Sequence, residues 1–333
     1  MMKKLAISIP TFNEVGFLKE NLKTLVPQVK EFSNCVDLYV FDNNSSDDTT
    51  IEVKKYFSNK DNCFLIKNSS NIGLAQNQIK SLQLEEYDYQ IIIGSDDILI
   101  PGAVKKILSL IDRSMYSIVY MNYYSFSNNY KTPIDFFAPE KNVIFDRSYD
   151  LLNYPSVGHF SSFIFKSEYV KKYLPYILES HDKSFFDQHR GVIAYLAAII
   201  CAKEKSKTFF YGERLLATNK YKEVNYNSLE HLCLDFLDFH FMLFEKGLTS
   251  QSDFDYRKML VKNILLRSSI RNLPFLENSK NITIMKGLRF HFKKNCYFYF
   301  LIKPIFFAMR INLIKKITRY LINQYKLKGN KHG

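Results

Sequence analysis

The first 121 residues alternate two kinds of hydrophobic pattern with little slack between them. Short runs rich in β-branched and aromatic residues, "KLAISI", "VDLYVF", "CFLIK", "YQIIIG" and "SIVYM", predict strands. Between them, apolar positions at helical spacing predict helices beginning near Gly16, Asp47, Ile72 and Pro101. Ser45, Ser46, Asp47 and Asp48 offer cap oxygens for the second helix, and Pro101 suits the first turn of the fourth. Strands alternating with helices of this length build βαβ units, so the expected fold is α/β, a mostly parallel sheet flanked by helices.

After about residue 122 the pattern loosens. "NYYSFSNNYKTPIDFFAPEKN" reads as loop and short strands, "FSSFIFKSEYVKKYL" as a strand followed by a helix, and "HRGVIAYLAAIICAKE" as a helix that is apolar on most sides. "TFFYGERLLATNK" predicts another strand, and from about residue 227 the chain reads as helical. Near the C-terminus Phe306, Met309, Leu313, Ile317, Tyr320 and Leu321 fall on one helical face. Arg310, Lys315, Lys316, Arg319 and Asn323 fall on the other.

Composition narrows the class. A chain of 333 residues with 47% hydrophobic content, 11 Gly and 9 Pro is globular and can bury a large core. Its five cysteines, Cys35, Cys63, Cys201, Cys233 and Cys296, are odd in number and scattered, which argues for a reducing compartment and against structural zinc. The opening "MMKKLAISIPTFNE" is interrupted by Thr11, Asn13 and Glu14 too early for a secretory segment, so it reads as a first core strand. No window approaches ~18 uninterrupted apolar residues, and no spanning helix is expected. The net charge of +13 lies in the tail, because from Arg257 onward eighteen Lys and Arg face a single acid, Glu277. A polyanionic partner should meet the protein there.

In an open α/β sheet, functional groups gather in the loops after the strands. Here those loops are "PTFNE" (10–14), "DNNSSDDT" (42–49), "NSSNIGLAQN" (68–77) and "GSDD" (94–97). Acids and amides recur, and neither a G-x-G-x-x-G nor a G-x-x-x-x-G-K-[ST] phosphate loop occurs, which weighs against dinucleotide oxidoreductases and P-loop enzymes. The second loop can pair with a nucleobase edge or ribose hydroxyls, and the third can aim the amides of Ile72 and Gly73 at a ligand or at the sheet. The adjacent Asp96 and Asp97 have two readings, a helix-capping turn or a pair of carboxylates that grips a diphosphate through Mg²⁺ or Mn²⁺.

"SIPTFNE", "VDLYVFDNNSSDDT", "NSSNIGLAQN" and "IIIGSDDILIPGAVKKIL", in that order, resemble the family 2 glycosyltransferases of the GT-A fold, in the branch that builds bacterial surface polysaccharide. The resemblance covers residues 3–121 well and the next hundred weakly. It implies a Rossmann-like GT-A catalytic domain over 1–225, with a nucleotide-sugar part at 3–121 and an acceptor part at 122–225. A helical, basic, membrane-associating region would follow at 226–333. It further implies Pro10 and Thr11 near the base, Asp42 with Asn43 on base or ribose, Asp96 facing the ribose, and Asp97 on a divalent metal with Asp96 beside it. Asn13, Glu14, Asn71, Gly73, Asn77 and Ser95 complete the expected donor site. The sequence departs from the family at Gly94, where an acid often forms Asp-x-Asp with Asp96.

Inverting transfer needs a base for the acceptor hydroxyl. The family supplies it before a helix in the second half, where "LESHDKSFFDQHRG" offers Glu179, Asp182 and Asp187. Asp187, immediately before the predicted helix, is the favoured base, although an acid also suits a helix N-terminus there. His159 and His189 are candidate contacts to acceptor or pyrophosphate. The basic amphipathic C-terminus suits an anionic bilayer surface, and a polyprenyl-diphosphate-linked acceptor at the inner face of a bacterial cytoplasmic membrane would bring the enzyme there. Three alternatives stay open, a nucleotidyltransferase, a non-catalytic basic protein binding nucleic acid or membrane, and a family member that has lost activity, as the missing carboxylate at Gly94 permits. The acidic loops make nucleic acid the less expected partner.

Overall fold

The computed structural model describes residues 3–113, 115–154, 157–180, 191–220, 236–260, 303–308 and 318. The chain divides into two compact units, 1–223 and 224–333.

The first unit opens with β1 (Leu5–Thr11), α1 (Val15–Glu31), β2 (Val36–Asp42), α2 (Thr49–Phe57), β3 (Cys63–Lys67), α3 (Leu74–Ser81) and β4 (Tyr89–Ile92). These are the predicted strands and helices, with helix starts shifted by one or two residues. β5 (Ile98–Leu99), α4 (Ala103–Arg113), β6 (Ile118–Phe126), β7 (Asp135–Phe136), β8 (Val143–Phe145) and α5 (Tyr149–Asn153) follow. The unit continues with β9 (Phe163–Lys166), α6 (Ser167–Ser180), α7 (Val192–Lys203) and β10 (Thr208–Asn219). One ten-stranded sheet runs β3-β2-β1-β4-β9-β6-β10-β5, with β7 on β6 and β8 on β10.

The strands β3, β2, β1 and β4 are parallel, and so are β6 and β10. β9 lies between the two groups and is antiparallel to both β4 and β6. β1 is buried along its whole length, as a parallel strand covered on both faces must be. The stretch "NYYSF", the start of a segment expected to hold loop and short strands, extends β6, which is buried at every position. Its partner β10 bends around Gly212, where a Cβ would stand 2.3 Å from the Lys141 backbone. Only a residue without a side chain lets the two segments approach that closely.

Helix α1 lays Leu18, Leu22, Leu25 and Val29 on the sheet and buries two polar residues, Asn21 and Gln28, on the same stripe. Gln28 accepts from the Val104 amide and donates to the Leu99 carbonyl, 3.3 and 3.2 Å away. This side chain serves the start of α4. Among the described residues Cys35, Cys63 and Cys201 are buried.

In the second unit Phe236–Glu245 is helical, as are residues 251–260 and Lys303–Ala308. Phe254 packs against Phe241 and Phe244 with ring centroids 5.5 and 5.7 Å apart. Burial, with the Arg257 charge, holds His240 well below the ordinary imidazole range. No helix among the described residues is long and apolar enough to cross a membrane. The amphipathic C-terminal segment lies outside the described residues beyond 308, apart from Thr318.

Candidate donor and metal site

The carboxyl ends of β1, β2, β3 and β4 carry the four loops singled out in the sequence, and side-chain hydrogen bonds sew them together. Asn13, at a positive φ of 53°, accepts from the Ser46 amide at 2.8 Å, while its own amide donates to Ser45 Oγ at 2.9 Å. The Val15 amide reaches Asp47 Oδ2 at 3.2 Å. The loops after β1 and β2 therefore form one piece.

Asp42, fully buried at the end of β2, accepts from the Ser45 amide at 2.8 Å and the Thr50 hydroxyl at 2.6 Å. Its neighbour Asn43 donates to Asn71 Oδ1 at 2.8 Å and accepts from Asn68 at 3.0 Å and the Ile72 amide at 2.9 Å. Asn68 also donates to Asn77 Oδ1 at 3.0 Å, and Asn77 donates to the Phe41 carbonyl at 2.9 Å. Lys80 closes the network on Asn68 at 2.7 Å. The Gly73 amide turns to Asn71 at 2.9 Å. The Ile72 amide thus ties the third loop to the second, and the Gly73 amide closes the third loop on itself. Asp42, Asn43, Asn71 and Asn77 make these same contacts, while the buried Thr11 Oγ1 at the end of β1 has no hydrogen-bond partner. Pro10 lies beside it in β1, in register with Phe41.

The fourth loop is a tight turn in which the Asp97 amide returns to the Gly94 carbonyl at 3.1 Å. Asn21 of α1 clasps it from below, donating to the Gly94 and Asp97 carbonyls at 3.2 and 2.5 Å. Ser95 donates to Glu14, joining the turn to the loop after β1. Asp96 is half-buried, while Asp97 is only 3% exposed.

The turn also receives a segment from the second half of the unit. Ser161, fully buried, donates to Asp97 Oδ2 at 2.6 Å. His159 Nε2 stands 3.7 Å from the same oxygen. Burial pushes His159 down to about 4, against the pull of Asp96, so the imidazole is neutral at pH 7. Tyr120 Oη holds this segment by accepting from the amides of Gly158 and His159 at 3.2 and 3.1 Å.

Gly94 explains how two carboxylates share the turn. A Cβ there would lie 2.9 Å from Asp97 Oδ2 and 3.1 Å from Asp96 Oδ1. Oxygens of both acids therefore converge on one side of the residue that has no side chain. Adjacent oxygen donors facing one point suit a small hard cation such as Mg²⁺ or Mn²⁺. No group of three or more His, Cys, Asp or Glu is arranged for a metal among the described residues, so a cation here would draw its other ligands from water and substrate.

Asn21, Asn68, Lys80, Ser161 and Tyr120 escaped the sequence reading, although a buried amide on the apolar stripe of α1 is a readable signal for the first. Asp187 and His189 lie outside the described residues, as do His181 and Asp182; Glu179 is in α6. A cleft of about 470 Å³ lined by Lys105, Lys106, Tyr116, Phe209 and Tyr211 shares none of the donor-site residues.

The fold is similar to that of TarS of S. aureus, with a TM-score of 0.60 at 13% identity over 95% of this chain and 54% of that one. TarS 1–349 in complex with UDP-GlcNAc aligns over 98% and 92% of the two chains, at TM-score 0.58 and 12% identity. The mannosyltransferase PcManGT from Pyrobaculum calidifontis, in complex with GDP-Man and Mn²⁺, aligns over 97% and 87%, at TM-score 0.55 and 11% identity. In sequence, an uncharacterized glycosyltransferase of Mycoplasma pneumoniae is 26% identical over 125 residues, which is 36% of this chain and 40% of that protein. Residues 6–173, half of the chain, match Glycosyl transferase family 2, and the protein belongs to that family.

Proposed function

We propose that the protein is an inverting glycosyltransferase that moves a sugar from a nucleotide-diphosphate donor to a lipid-linked oligosaccharide or other glycan acceptor in bacterial surface-polysaccharide synthesis, O-antigen or capsule. The observation that carries the donor assignment is the convergence of Asp96 and Asp97 over Gly94, at the mouth of loops that end four parallel strands. The solved relatives holding UDP-GlcNAc, or GDP-Man with Mn²⁺, support a nucleotide-sugar donor and a divalent cation.

In this reading the loops after β1 to β3 form the nucleoside pocket, with the Thr11 hydroxyl, Asn13 and the Asp42–Asn43 corner on base and ribose. Asp97, with Asp96, would hold Mg²⁺ or Mn²⁺, which when bound offsets the charge of the departing diphosphate. Asp187 takes the proton of the acceptor hydroxyl as that oxygen bonds to the anomeric carbon, while the bond to the diphosphate breaks on the opposite face. Attack from one side and departure from the other invert the anomeric centre. His159, neutral beside Asp97, and His189 are the candidate contacts to acceptor or pyrophosphate. The basic C-terminus rests on an anionic bilayer at the inner face of the cytoplasmic membrane.

Thermal unfolding with UDP, GDP, CDP or TDP, each with and without Mn²⁺, tests the donor site. One nucleoside diphosphate should raise Tm only with metal, and Asp97→Ala should remove that rise, because a ligand stabilises the state it binds. A wild-type protein indifferent to all four would sink the assignment.

A further inference from the structure

The turn at Gly94–Asp97 lacks the first carboxylate of the Asp-x-Asp pattern, yet Asp97 is not left to orient itself. The Gly94 amide donates to Ser161 Oγ at 2.9 Å, and the same hydroxyl donates to Asp97 Oδ2 at 2.6 Å. A hydroxyl carries one proton. Because its oxygen accepts from Gly94, that proton is directed to the carboxylate. Ser161 is completely buried, and the backbone on either side of it is fixed: Tyr120 Oη receives the amides of Gly158 and His159, and β9 begins at Phe163 between β4 and β6.

We propose that Ser161, delivered from the second half of the unit, is the positioning residue that sets the Asp97 carboxylate for a divalent cation, and that this hydroxyl does the orienting for which Gly94 offers no acid. The inference rests on the donor-site reading above and deepens it. Groups that hydrogen-bond a ligating carboxylate fix its orientation, and losing one costs about 10- to 100-fold in metal affinity.

The geometry adds a consequence opposite to intuition. Restoring an acid at position 94 does not complete the site. The new Cβ would press on Asp97 Oδ2 at 2.9 Å, Asp96 Oδ1 at 3.1 Å and Phe160 Cζ at 3.2 Å. It would force apart the oxygens that converge there and add a like charge beside them. Gly94 and Ser161 are therefore one device, a bare backbone amide whose proton fixes the hydroxyl that fixes the carboxylate.

The experiment measures Mn²⁺ binding to the full chain by the loss of the free-ion paramagnetic resonance signal, alone and with UDP or GDP. Metal-free nucleotide binding and Tm are recorded alongside. Ser161→Ala should weaken Mn²⁺ by about tenfold or more while metal-free nucleotide binding holds. Gly94→Asp should weaken Mn²⁺ as well. If the alanine variant does not fold, Ser161→Cys carries the test, since a thiol fits but donates weakly and should give a smaller loss. Wild-type Mn²⁺ affinity in Ser161→Ala or Ser161→Cys, or tighter binding in Gly94→Asp, would overturn the inference and leave the donor site standing. A wild-type protein that binds nucleoside diphosphate with no effect of Mn²⁺ would remove the metal reading itself, and this proposal with it.

Discussion

Amide side chains organise the loops after β1, β2 and β3, whereas aromatic rings organise the strands from β6 to β10. In the first region Asn13, Asn43, Asn68, Asn71 and Asn77 bind one another and the backbone around them. In the second, Tyr120 meets Phe163 edge-on at 4.8 Å and stacks on Phe210 at 5.9 Å, while Phe163 stacks on Phe165 at 5.6 Å. Tyr123 carries the chain of rings onward to Phe137 at 4.7 Å and His159 at 5.0 Å. Hydrogen bonds are directional and leave a buried partner stranded when one is removed. Ring packing follows area and shape, and it accepts other apolar groups of similar volume.

The two regions should therefore fail differently. The largest effect is expected for Phe163→Ala, which empties a fully buried position and should cost about 3–5 kcal/mol in denaturant unfolding. Phe163→Leu should recover most of that, and a leucine variant as unstable as the alanine one would break the contrast.

Next comes Asn43→Ala, at about 1–3 kcal/mol, because Asn68 and the Ile72 amide lose an acceptor. Here a leucine of similar size should do no better than alanine, and nucleotide binding should fall with stability. Recovery of Tm in Asn43→Leu would show that volume, not direction, holds this loop.

A smaller effect is expected at Asp47. Burial alone would raise its pKa, but hydrogen bonds from Thr49 and Val15 win and hold it below the usual carboxylate range. A depressed folded value means that its contribution is present above about pH 4 and is lost as pH falls through the folded value. Asp47→Asn should be slightly less stable at pH 7, and the gap should close in acid. A gap that widens on acidification would reverse the sign of this contribution. Smallest is the exposed pair of Lys106 and Glu213, which joins α4 to β10. Lys106→Ala should change stability by less than about 1 kcal/mol, with the difference vanishing in high salt.

The same division explains what could be read in advance. Amide-rich loops occupy contiguous stretches, so "NSSNIGLAQN" and "DNNSSDDT" announced themselves, and the four N-terminal strands followed from their apolar runs. Pairings between distant positions left no local trace. Ser161 sits in "VGHFSS", an unremarkable polar step before a strand, and only the insertion of β9 beside β4 brings it to Asp97. Likewise the segment that "NYYSF" opens reads as loop and short strands because it is rich in aromatics and turn formers, yet Asn122 is buried and donates to the Gly212 carbonyl at 2.8 Å. The loops that carry the expected donor-site residues meet at one edge of the sheet, but the contacts these residues make inside the loops could not be foreseen from residue type. Asp42 could have been exposed or buried on sequence evidence alone.

The place of β9 in the sheet has a consequence for the order of events during synthesis. β1 to β4 leave the ribosome first and can pair among themselves, but the outer edge of β4 has no neighbour until β9 arrives after α4, β5 and β6. Such late, long-range pairing is slow to form and leaves a strand edge open in the meantime. A nascent chain ending before β9 would hold the first loops in place with an incomplete turn at Asp97. The Ser161 hydroxyl would thus reach Asp97 only when the central sheet closes around β9, so that folding itself sets when this turn takes its final form.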